Sequence, residues 1–333
     1  MDSVYTASAS RYDGCMRYNR CGNSGILLPA ISLGLWHNFG DVDDFALSRS
    51  KLHYAFDQGI THFDLANNYG PSFGSAESTL GQVMKSSFAP YRDELFISTK
   101  AGHDMWNGPY GSWGSRKHLM ASLDQSLKRM NLDYVDIFYS HRYDPNTPLE
   151  ETLQALVDVV RQGKALYVGI SKYPYEAARF AYDFLRDAHV PCLLYQGRYN
   201  LLSREPETKG MLQQSHEQGS GFIAFSPLAQ GLLTDRYLQG IPADSRIARG
   251  GFLKKEALTE EVLVKIKALN DMALQRGQSL AEMSLAWLLH HELVTSVIVG
   301  ASSVRQLTTN LKALDSPGFD EAELLQIEQI LNK

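Results

Sequence analysis

The chain has 333 residues, of which 44% are hydrophobic and 21% are charged, and its formal net charge is −5. This composition is ordinary for a globular protein and excludes disorder as the main state, while the length suits either two average domains or one α/β barrel. The slight acidic excess argues against a nucleic-acid partner, and no polybasic segment favours an anionic membrane surface.

The N-terminal region is polar, and we expect residues 1–15 to form a flexible segment before a single domain that spans 16–333. Met1–Met16 lacks the apolar core of a signal peptide, and no apolar run approaches the roughly 20 residues of a membrane span. The three cysteines are too few for a disulfide framework and form no Cys-x-x-Cys pair of the kind that binds zinc. We therefore expect a cytoplasmic protein without a resident metal.

A β-hairpin is predicted next, because Met16–Cys21 and Ile26–Pro29 flank the turn sequence Gly22-Asn23-Ser24-Gly25. This hairpin could close the bottom of a barrel. Short apolar segments of strand length then alternate with longer amphipathic stretches along the rest of the chain. The predicted strands are Ile31–Leu35, Ile60–Asp64, Leu95–Thr99, Tyr134–Tyr139, Ala165–Ile170, Leu193–Gln196, Gly221–Ser226 and Ser296–Val299.

Helical spacing of apolar residues is clear between these strands, for example in Ser115–Met130 and Leu149–Gln162, and a last helix is predicted near Asp320–Leu331. Eight strands that alternate with helices predict parallel βα units. We therefore expect an α/β fold, a (β/α)8 TIM barrel with an N-terminal β-hairpin and an extra C-terminal helix. A doubly wound sheet is the alternative. The long irregular stretch Pro227–Leu258 after the seventh strand is of the kind that is usually functional or disordered.

Candidate catalytic residues end three consecutive strands of the predicted barrel, where the chemistry of such barrels lies. Asp64 ends the second strand, Lys100 follows the third, His141 follows the fourth, and Tyr69 lies five residues beyond Asp64. A lysine near a tyrosine hydroxyl lowers the pKa of the phenol, an aspartate orients that lysine, and a histidine can donate a hydrogen bond to a carbonyl. Together they form a proton donor for a carbonyl that receives hydride. Each one alone could be a solvated strand end or part of a structural ion pair.

A phosphate site is predicted after the last two strands, where barrels often bind phosphate at a helix N-terminus. Gly300 permits a close backbone approach, and free amides follow at the start of the helical stretch Val304–Leu314. Arg236 and Arg246, in the loop after the seventh strand, could make charge-assisted bonds to a phosphate. The residues alone leave an ordinary strand-to-helix turn and solvated arginines open.

The sequence resembles the aldo-keto reductases from about Met16 to the C-terminus. The motifs that carry the resemblance are Ile60-Thr-His-Phe-Asp-Leu-Ala-Asn-Asn-Tyr-Gly70, Ser98-Thr-Lys-Ala-Gly102, Val135-Asp-Ile-Phe-Tyr-Ser-His141 and Gly300-Ala-Ser302. Within the family the sequence is similar to the channel β-subunit branch. Two further segments, Leu33-Gly-Leu-Trp-His-Asn-Phe-Gly40 and Trp106-Asn-Gly-Pro-Tyr-Gly111, resemble bacterial L-glyceraldehyde 3-phosphate reductases.

The resemblance implies a catalytic tetrad of Asp64, Tyr69, Lys100 and His141, with Tyr69 as the proton donor. The implied activity is the NADPH-dependent reduction of small aldehydes, of which L-glyceraldehyde 3-phosphate is the first candidate and methylglyoxal a side substrate. Channel subunits usually carry asparagine at the histidine position, so His141 favours an active reductase. A cofactor-bound regulatory subunit without turnover is the alternative, and a homo-oligomer is left open.

The resemblance also assigns the cofactor contacts. It places the nicotinamide carboxamide near Ser171 and Gln196 and the ring on Phe225, although a plain core role for this phenylalanine stays open. The arginines of the long loop and the residues after Gly300 would contact the adenosine 2′-phosphate or adenine, which predicts NADPH over NADH. The complete predicted set is Trp36, Asp64, Ser171, Gln196, Phe225, Ser226, Leu228, Gly231, Arg236, Arg246, Gly300, Ser302, Gln306 and Asn310.

Two positions near these contacts depart from the family pattern. Lys172 stands where related reductases often carry Ser, Asn or Arg, and Gly197-Arg198 replace a different pair in close relatives. A separate motif, Gly70-Pro-Ser-Phe-Gly74, matches the nucleophile elbow of hydrolases and would make Ser72 a nucleophile. The elbow requires the serine directly after a strand, whereas the predicted strand ends about eight residues earlier.

The sequence identifies the substrate pocket less clearly than the cofactor site. The loop Trp106–Trp113 could form a wall of the substrate pocket or an ordinary surface loop. Arg142, Lys117 and Arg116 are candidates, by charge alone, for binding a phosphate on the substrate. Each of these three could equally be a solvated surface residue.

Overall fold

The computed structural model describes residues 5–242, 245, 247–248, 250 and 253–332. Two short strands, β1 (Tyr18–Arg20) and β2 (Leu27–Pro29), pair antiparallel and form the predicted hairpin. The strands that follow are β3 (Ile31–Gly34), β4 (His62–Asp64), β5 (Phe96–Ala101), β6 (Val135–Ser140), β7 (Ala165–Ser171), β8 (Cys192–Arg198), β9 (Gly221–Phe225) and β10 (Ser296–Val299). These eight strands pair in parallel and close into a barrel. Because β10 pairs with both β9 and β3, the doubly wound sheet is excluded.

Helices surround the barrel on the outside, and each barrel strand is followed by at least one. They are α1 (Phe45–Asp57), α2 (Ser75–Val83), α3 (Arg116–Met130), α4 (Leu149–Arg161), α5 (Tyr175–Asp187), α6 (Glu205–Thr208), α7 (Met211–Glu217), α8 (Glu260–Gln275), α9 (Leu280–His290), α10 (Val304–Leu311) and α11 (Glu321–Leu331). The last of these is the predicted C-terminal helix. Asp320 caps it by accepting a hydrogen bond from Glu323 N, and the helix packs against α8.

Strand β4 is shorter than the sequence predicts, because Ile60 belongs to the turn that ends the preceding helix. The amide of Ile60 donates to Ala55 O at 2.9 Å, and Gly59 adopts a left-handed φ of 80°. This is the common way in which a helix satisfies its last carbonyl groups. An apolar residue at this position therefore terminates α1 and does not extend the strand.

The hairpin closes the amino-terminal end of the barrel, as the sequence suggested. Cys21 and Leu28 of the hairpin are fully buried and pack with interior residues of the barrel such as Ile223. Cys21 Sγ donates to Leu193 O at 3.3 Å, and Asn23 N donates to Gly219 O at 2.9 Å. The opposite, carboxyl-terminal end is therefore the end that is left for a ligand.

The segment before the hairpin, which the sequence suggested to be flexible, makes specific contacts over its described part. Tyr5 Oη and Ser8 N both donate to Asp57 Oδ1, at 2.9 and 2.7 Å. Arg11 forms an ion pair with Glu94 at 2.6 Å. These contacts tie residues 5–11 to the end of α1 and to the 3₁₀ helix Ala89–Glu94. The polar composition of this segment reflects hydrogen bonding to the barrel.

The long loop after β9 contains three short 3₁₀ helices within the described residues, Ala229–Gly231, Asp235–Tyr237 and Lys255–Ala257. Arg246, which the sequence assigns to the cofactor phosphate, lies outside the described residues. In the part of the chain that the structure describes, no helix is long and apolar enough to cross a membrane.

Candidate active site

The four predicted catalytic side chains meet at the carboxyl-terminal end of the barrel. Lys100 Nζ lies 2.6 Å from Asp64 Oδ2 and donates to Leu65 O, also at 2.6 Å. The same ammonium group is 5.0 Å from the centre of the Tyr69 ring. The Tyr69 and His141 rings meet edge to face, with centroids 5.8 Å apart. The structure therefore brings together all four members of the predicted tetrad.

Local backbone geometry explains how these residues converge. Asp64 and Lys100 belong to the neighbouring parallel strands β4 and β5, and His141 directly follows β6, which pairs with β5. Tyr69 is held by a turn, since its amide donates to Ala66 O at 3.0 Å. The turn continues through Gly70, whose φ of 82° favours glycine and whose amide donates to Trp36 O. Three strand ends and one turn thus position the group.

The lysine and the aspartate form an ion pair that is almost completely removed from water. The Lys100 side chain is fully buried, and burial lowers its pKa, while the Asp64 carboxylate opposes that shift. Asp64 also accepts hydrogen bonds from Ser98 Oγ at 2.8 Å and from Gln196 Nε2 at 3.0 Å. A buried charge is tolerated when it is paired and hydrogen-bonded in this way.

The pKa of Tyr69 moves in the direction opposite to that expected from the sequence. Burial, and then the nearby Asp64 carboxylate, raise the pKa of Tyr69 well above its usual value. Lys100, which was expected to lower this pKa, is itself paired with Asp64 at 2.6 Å. Tyr69 is therefore a neutral phenol at physiological pH, which is the protonation state that a proton donor needs.

His141 is also neutral. Burial lowers its pKa well below the usual value, and the positive charges of Lys172 and Lys100 add to the effect. Its Nδ1 atom is buried and has no hydrogen-bond partner among the described residues. A second histidine, His103, lies with its ring centroid 4.4 Å from that of His141. The sequence analysis did not single out His103, although its position two residues after the Lys100–Ala101 strand end places it on the same face.

Below the tetrad, a polar layer crosses the interior of the barrel. His62 Nδ1 is 2.9 Å from Ser32 Oγ, and His62 Nε2 is 3.1 Å from Ser98 Oγ, which in turn donates to Asp64. Burial lowers the pKa of His62 to about 4, so its imidazole is neutral. Sequence inspection missed this layer, because alternating small polar residues in a strand resemble a solvated face. The layer fixes the Asp64 carboxylate from below.

A cleft of about 290 Å³ opens beside Tyr69 between the carboxyl ends of β3, β4, β9 and β10. Trp36 lies on one side, with its ring centroid 6.3 Å from that of Tyr69, and Phe225 lies at the end of β9. Most of the predicted cofactor residues line this cleft: Trp36, Asp64, Phe225, Ser226, Leu228, Gly231, Arg236, Gly300, Ser302 and Gln306.

Three predicted cofactor residues do not line the cleft itself. Ser171 and Gln196 are buried where β7 and β8 pair in register, and the Gln196 amide is engaged with Asp64. Asn310 is buried on α10. Ser302 and Gln306 are joined, since Ser302 N and Oγ both donate to Gln306 Oε1, at 2.8 and 3.1 Å.

Several features of the cleft and of the buried positions around it fit a dinucleotide. Ser171 Oγ and Asn310 Nδ2 are buried polar atoms without a partner among the described residues, and such atoms are uncommon unless a ligand or water satisfies them. A Cβ atom added to Gly300 would meet nothing within 4 Å, so this backbone is open to a ligand. The residues present can therefore hold a nicotinamide dinucleotide.

The loop that covers the cleft has an unusual backbone. Ser226, Ala229 and Gln230 adopt left-handed φ values of 53°, 48° and 59°, and Gly231 has a φ of 103°. Non-glycine residues in this region cost free energy and concentrate at functional sites. The geometry marks residues 226–231 as a shaped loop over the cleft.

The hydrolase alternative fails on geometry. Ser72 lies between the end of β4 and the start of α2, not directly after a strand, and its Oγ donates to Asp41 Oδ2 at 3.0 Å. Its backbone amide donates to the other oxygen of the same carboxylate at 2.7 Å. No histidine contacts Ser72 among the described residues, so nothing activates it as a nucleophile.

The three residues that the sequence suggested, by charge alone, for binding a substrate phosphate lie in different places. Arg116 pairs with Asp158 on α4, and Lys117 lies 5.2 Å from the centre of the Tyr110 ring. Arg142 is nearer to the site, because it directly follows His141 and stacks 3.6 Å from the centre of the Trp113 ring. Its Nε donates to Gly102 O at 2.8 Å. Of the three, only Arg142 adjoins the tetrad.

Known proteins are similar to this chain in sequence and in fold. A profile of the Aldo/keto reductase family matches residues 30–332. The chain is 57% identical over 330 residues to the L-glyceraldehyde 3-phosphate reductase of Escherichia coli (strain K12). The aligned residues cover 98% of this chain and 95% of that protein. The chain is also 36% identical over 306 residues to a probable voltage-gated potassium channel subunit beta of Oryza sativa subsp. japonica, with 90% and 92% of the two chains covered.

The crystal structure of a thermostable aldo-keto reductase in complex with the inhibitor epalrestat matches with a TM-score of 0.74 at 28% identity, covering 95% of this chain and all of that one. The agreement thus extends from the sequence profile to the three-dimensional fold. The chain belongs to the aldo/keto reductase family and is an oxidoreductase.

Proposed function

We propose that the protein reduces small aldehydes to alcohols with NADPH as cofactor and with Tyr69 as the proton donor. The observation that carries the proposal is the buried Lys100–Asp64 pair directly beneath the neutral phenol of Tyr69, with His141 against its edge. L-glyceraldehyde 3-phosphate is the proposed main substrate, because the chain is 57% identical to a reductase named for it. Methylglyoxal is proposed as a side substrate.

The residues divide the chemistry between them. The carbonyl oxygen of the aldehyde accepts hydrogen bonds from Tyr69 Oη and from the single N–H of the neutral His141 ring. When bound, the nicotinamide cofactor supplies the hydride that the carbonyl carbon receives. Tyr69 gives its proton to the oxygen as negative charge develops there. The Lys100 ammonium, 5.0 Å from the phenol ring, then stabilises the phenolate that remains.

Binding of the cofactor is assigned to the cleft and its borders. Phe225 offers a ring for stacking, and Ser171 Oγ is a buried hydroxyl free to bind an amide. The loop 226–231 would follow the pyrophosphate, while Arg236, together with Arg246 and the Ser302–Gln306–Asn310 side of α10, would bind the 2′-phosphate or adenine. We propose NADPH over NADH because these residues are assigned to the 2′-phosphate, which NADH lacks.

We propose a cytoplasmic location, because the three cysteines are free thiols and free thiols are typical of proteins in a reducing compartment. Two of them, Cys21 and Cys192, are buried. Burial raises the pKa of Cys192 to about 12, so this thiol stays protonated and unreactive.

The regulatory alternative predicts nucleotide binding without turnover, and it is separable by kinetics. Purified protein is mixed with NADPH and a panel of aldehydes, and the loss of reduced nicotinamide is followed together with formation of the alcohol. The proposal expects kcat/KM to be highest for L-glyceraldehyde 3-phosphate and higher with NADPH than with NADH. Tight NADPH binding without alcohol formation from any aldehyde would favour the regulatory role.

A further inference from the structure

A group of basic side chains borders the active site on the side of β7 and β8. It consists of His103, Arg142, Lys172 and Arg198 and is called the basic rim below. Lys172 Nζ lies 3.2 Å from His103 Nε2, and the His103 ring is 4.4 Å from that of His141. Lys172 Nζ and Arg198 Cζ lie 5.5 and 5.9 Å from the centre of the same ring, Phe225. The rim therefore reaches from the catalytic histidine to the expected position of the nicotinamide.

The positive charge of the basic rim is poorly compensated. Among the described residues, no carboxylate lies within ion-pair distance of Lys172 or Arg198. Arg142 approaches Asp104 only at 3.9 Å, and that carboxylate is 82% exposed. By contrast, Lys164 on the outer surface lies 2.7 Å from Asp124. The uncompensated charge makes the rim attractive to an anion.

The titration behaviour of the rim agrees with this geometry. Lys172 keeps an exposed surface, but desolvation of its ammonium group by the surrounding protein, and then the positive charges of Lys100, Arg198 and Arg142, lower its pKa to about 8. Burial and the charges of Lys172 and Arg142 lower the pKa of His103 to about 4, against the opposing charge of Asp104. Clustering of like charges costs free energy in the absence of an anion. Functional sites are where such costs concentrate.

The basic rim is separate from the surface assigned to the phosphates of the cofactor. The cleft between β3, β4, β9 and β10 is lined by the loop 226–231 and the start of α10, and its lining includes none of the four rim residues. Phe225 stands between the two surfaces. An anion held at the rim would therefore lie beside the reacting carbonyl, on the side of His141.

We propose that the basic rim binds the phosphate group of a phosphorylated aldehyde while the carbonyl oxygen of the same molecule is held by Tyr69 and His141. This inference rests on the proposed reductase function and adds the side chains that bind the phosphate group of the substrate. Arg198 offers a forked donor that matches phosphate oxygens, and Lys172 supplies a compact charge. Arg142 adds positive charge, although its Nε donates to Gly102 O and its Nη2 to Ser112 Oγ. The His103 ring lies 4.4 Å from the His141 ring, so the rim begins beside the position of the carbonyl oxygen. A substrate that reaches both therefore has only a few bonds between its carbonyl carbon and its phosphate, as in a short-chain aldehyde.

The test compares L-glyceraldehyde 3-phosphate with unphosphorylated L-glyceraldehyde in the wild type, Lys172→Gln, Arg198→Gln and the double variant. Hydrogen bonds to charged groups are worth about 1.5–3 kcal/mol, so each single variant is expected to lower kcat/KM for the phosphorylated substrate by about tenfold to a hundredfold. The loss should appear mainly in KM and exceed the loss for glyceraldehyde by at least about tenfold. Lys117→Gln, which removes a charge elsewhere on the surface, is the matched control.

Inorganic phosphate provides a second probe. It should inhibit the wild type competitively against the aldehyde, and inhibit the double variant much more weakly. Equal losses for both aldehydes, or no loss for either, would overturn the inference. If a higher KM for NADPH explained the whole loss of kcat/KM in the rim variants, the rim would bind a phosphate of the cofactor and not of the substrate. That result would also overturn the inference.

The outcomes separate this inference from the proposed function. A wild type that reduces glyceraldehyde but does not prefer its phosphorylated form contradicts the role of the rim and the proposed main substrate, and leaves the reductase activity itself standing. A wild type that reduces no aldehyde contradicts the reductase proposal itself. Lys172 and Arg198 are exposed, so the unfolding temperature of their variants should stay near that of the wild type and show that the proteins are folded.

Discussion

Replacing Lys100 with methionine removes one partner of a buried ion pair and leaves the Asp64 carboxylate with two neutral donors, Ser98 and Gln196. Breaking a buried pair in this way costs about 3–5 kcal/mol. The two remaining hydrogen bonds place the expected loss near the lower limit, about 3 kcal/mol. Because domains are stable by roughly 5–15 kcal/mol, the variant should still fold. Its Tm should fall by about 6 °C, at roughly 2 °C per kcal/mol for a chain of this size.

The effect on catalysis follows from the 5.0 Å between Lys100 Nζ and the centre of the Tyr69 ring. With an effective dielectric constant of about 20, a unit charge at this distance stabilises a phenolate by about 3 kcal/mol. The expected loss in kcat is therefore roughly a hundredfold to several hundredfold. It is measured as steady-state aldehyde reduction at saturating NADPH, alongside thermal unfolding followed by circular dichroism.

A matched control breaks a comparable ion pair far from the site. Arg92 lies 2.9 Å from Asp136 at the amino-terminal end of β6, and Asp136 keeps a hydrogen bond from Ile97 N. Arg92→Met should lower Tm by a similar amount and leave kcat unchanged. The double variant Asp64→Asn/Lys100→Met should be more stable than Lys100→Met alone, since no unpaired charge remains. Wild-type kcat in Lys100→Met, or an equal loss of kcat in Arg92→Met, would refute this reasoning.

Three further predictions concern other groups. The pKa of His62 falls from 6.5 to about 4 on folding, so the unfolded state binds the proton more tightly. The free energy of unfolding should therefore drop by up to roughly 3 kcal/mol as the pH falls from 6.5 to 4. Measured by chemical denaturation, this free energy should depend less on pH in His62→Asn than in the wild type. Because Lys172 loses its charge above about pH 8, kcat/KM for L-glyceraldehyde 3-phosphate should fall above that pH, whereas kcat/KM for glyceraldehyde should not fall with it; parallel profiles would contradict this role. Arg236→Ala should raise the KM for NADPH at least about tenfold and change the KM for NADH much less; equal changes would exclude contact with the 2′-phosphate.

The barrel and its tetrad could be predicted because their signals are local. The alternation of apolar strands with amphipathic helices gives the fold, and parallel strands place their carboxyl ends at one face. Asp64, Lys100 and His141 therefore had to converge once the barrel was assumed. The motifs around them led to the same family that the later comparisons confirmed.

What escaped prediction depends on depth and on contacts between distant segments. The pKa of Tyr69 rises because the side chain is buried and lies near the Asp64 carboxylate, and a sequence does not state how deeply a side chain is buried. The basic rim joins residues at the carboxyl ends of four neighbouring strands, β5, β6, β7 and β8. One sequence signal could have revealed part of it: Lys172 and Arg198 stand just past the ends of two consecutive predicted strands, and in the structure these strands pair with Ser171 opposite Gln196.

The most direct test of the account is the rate of aldehyde reduction by Tyr69→Phe at saturating NADPH. Removing the proton donor should lower kcat by about 10²–10⁴-fold and leave the Kd for NADPH unchanged. Tyr182→Phe is the matched control, since it removes a buried hydroxyl that lies 3.0 Å from Ser215 Oγ, and it should reduce aldehydes at the wild-type rate. Near-normal reduction by Tyr69→Phe with intact NADPH binding would contradict the assignment of Tyr69 as the proton donor.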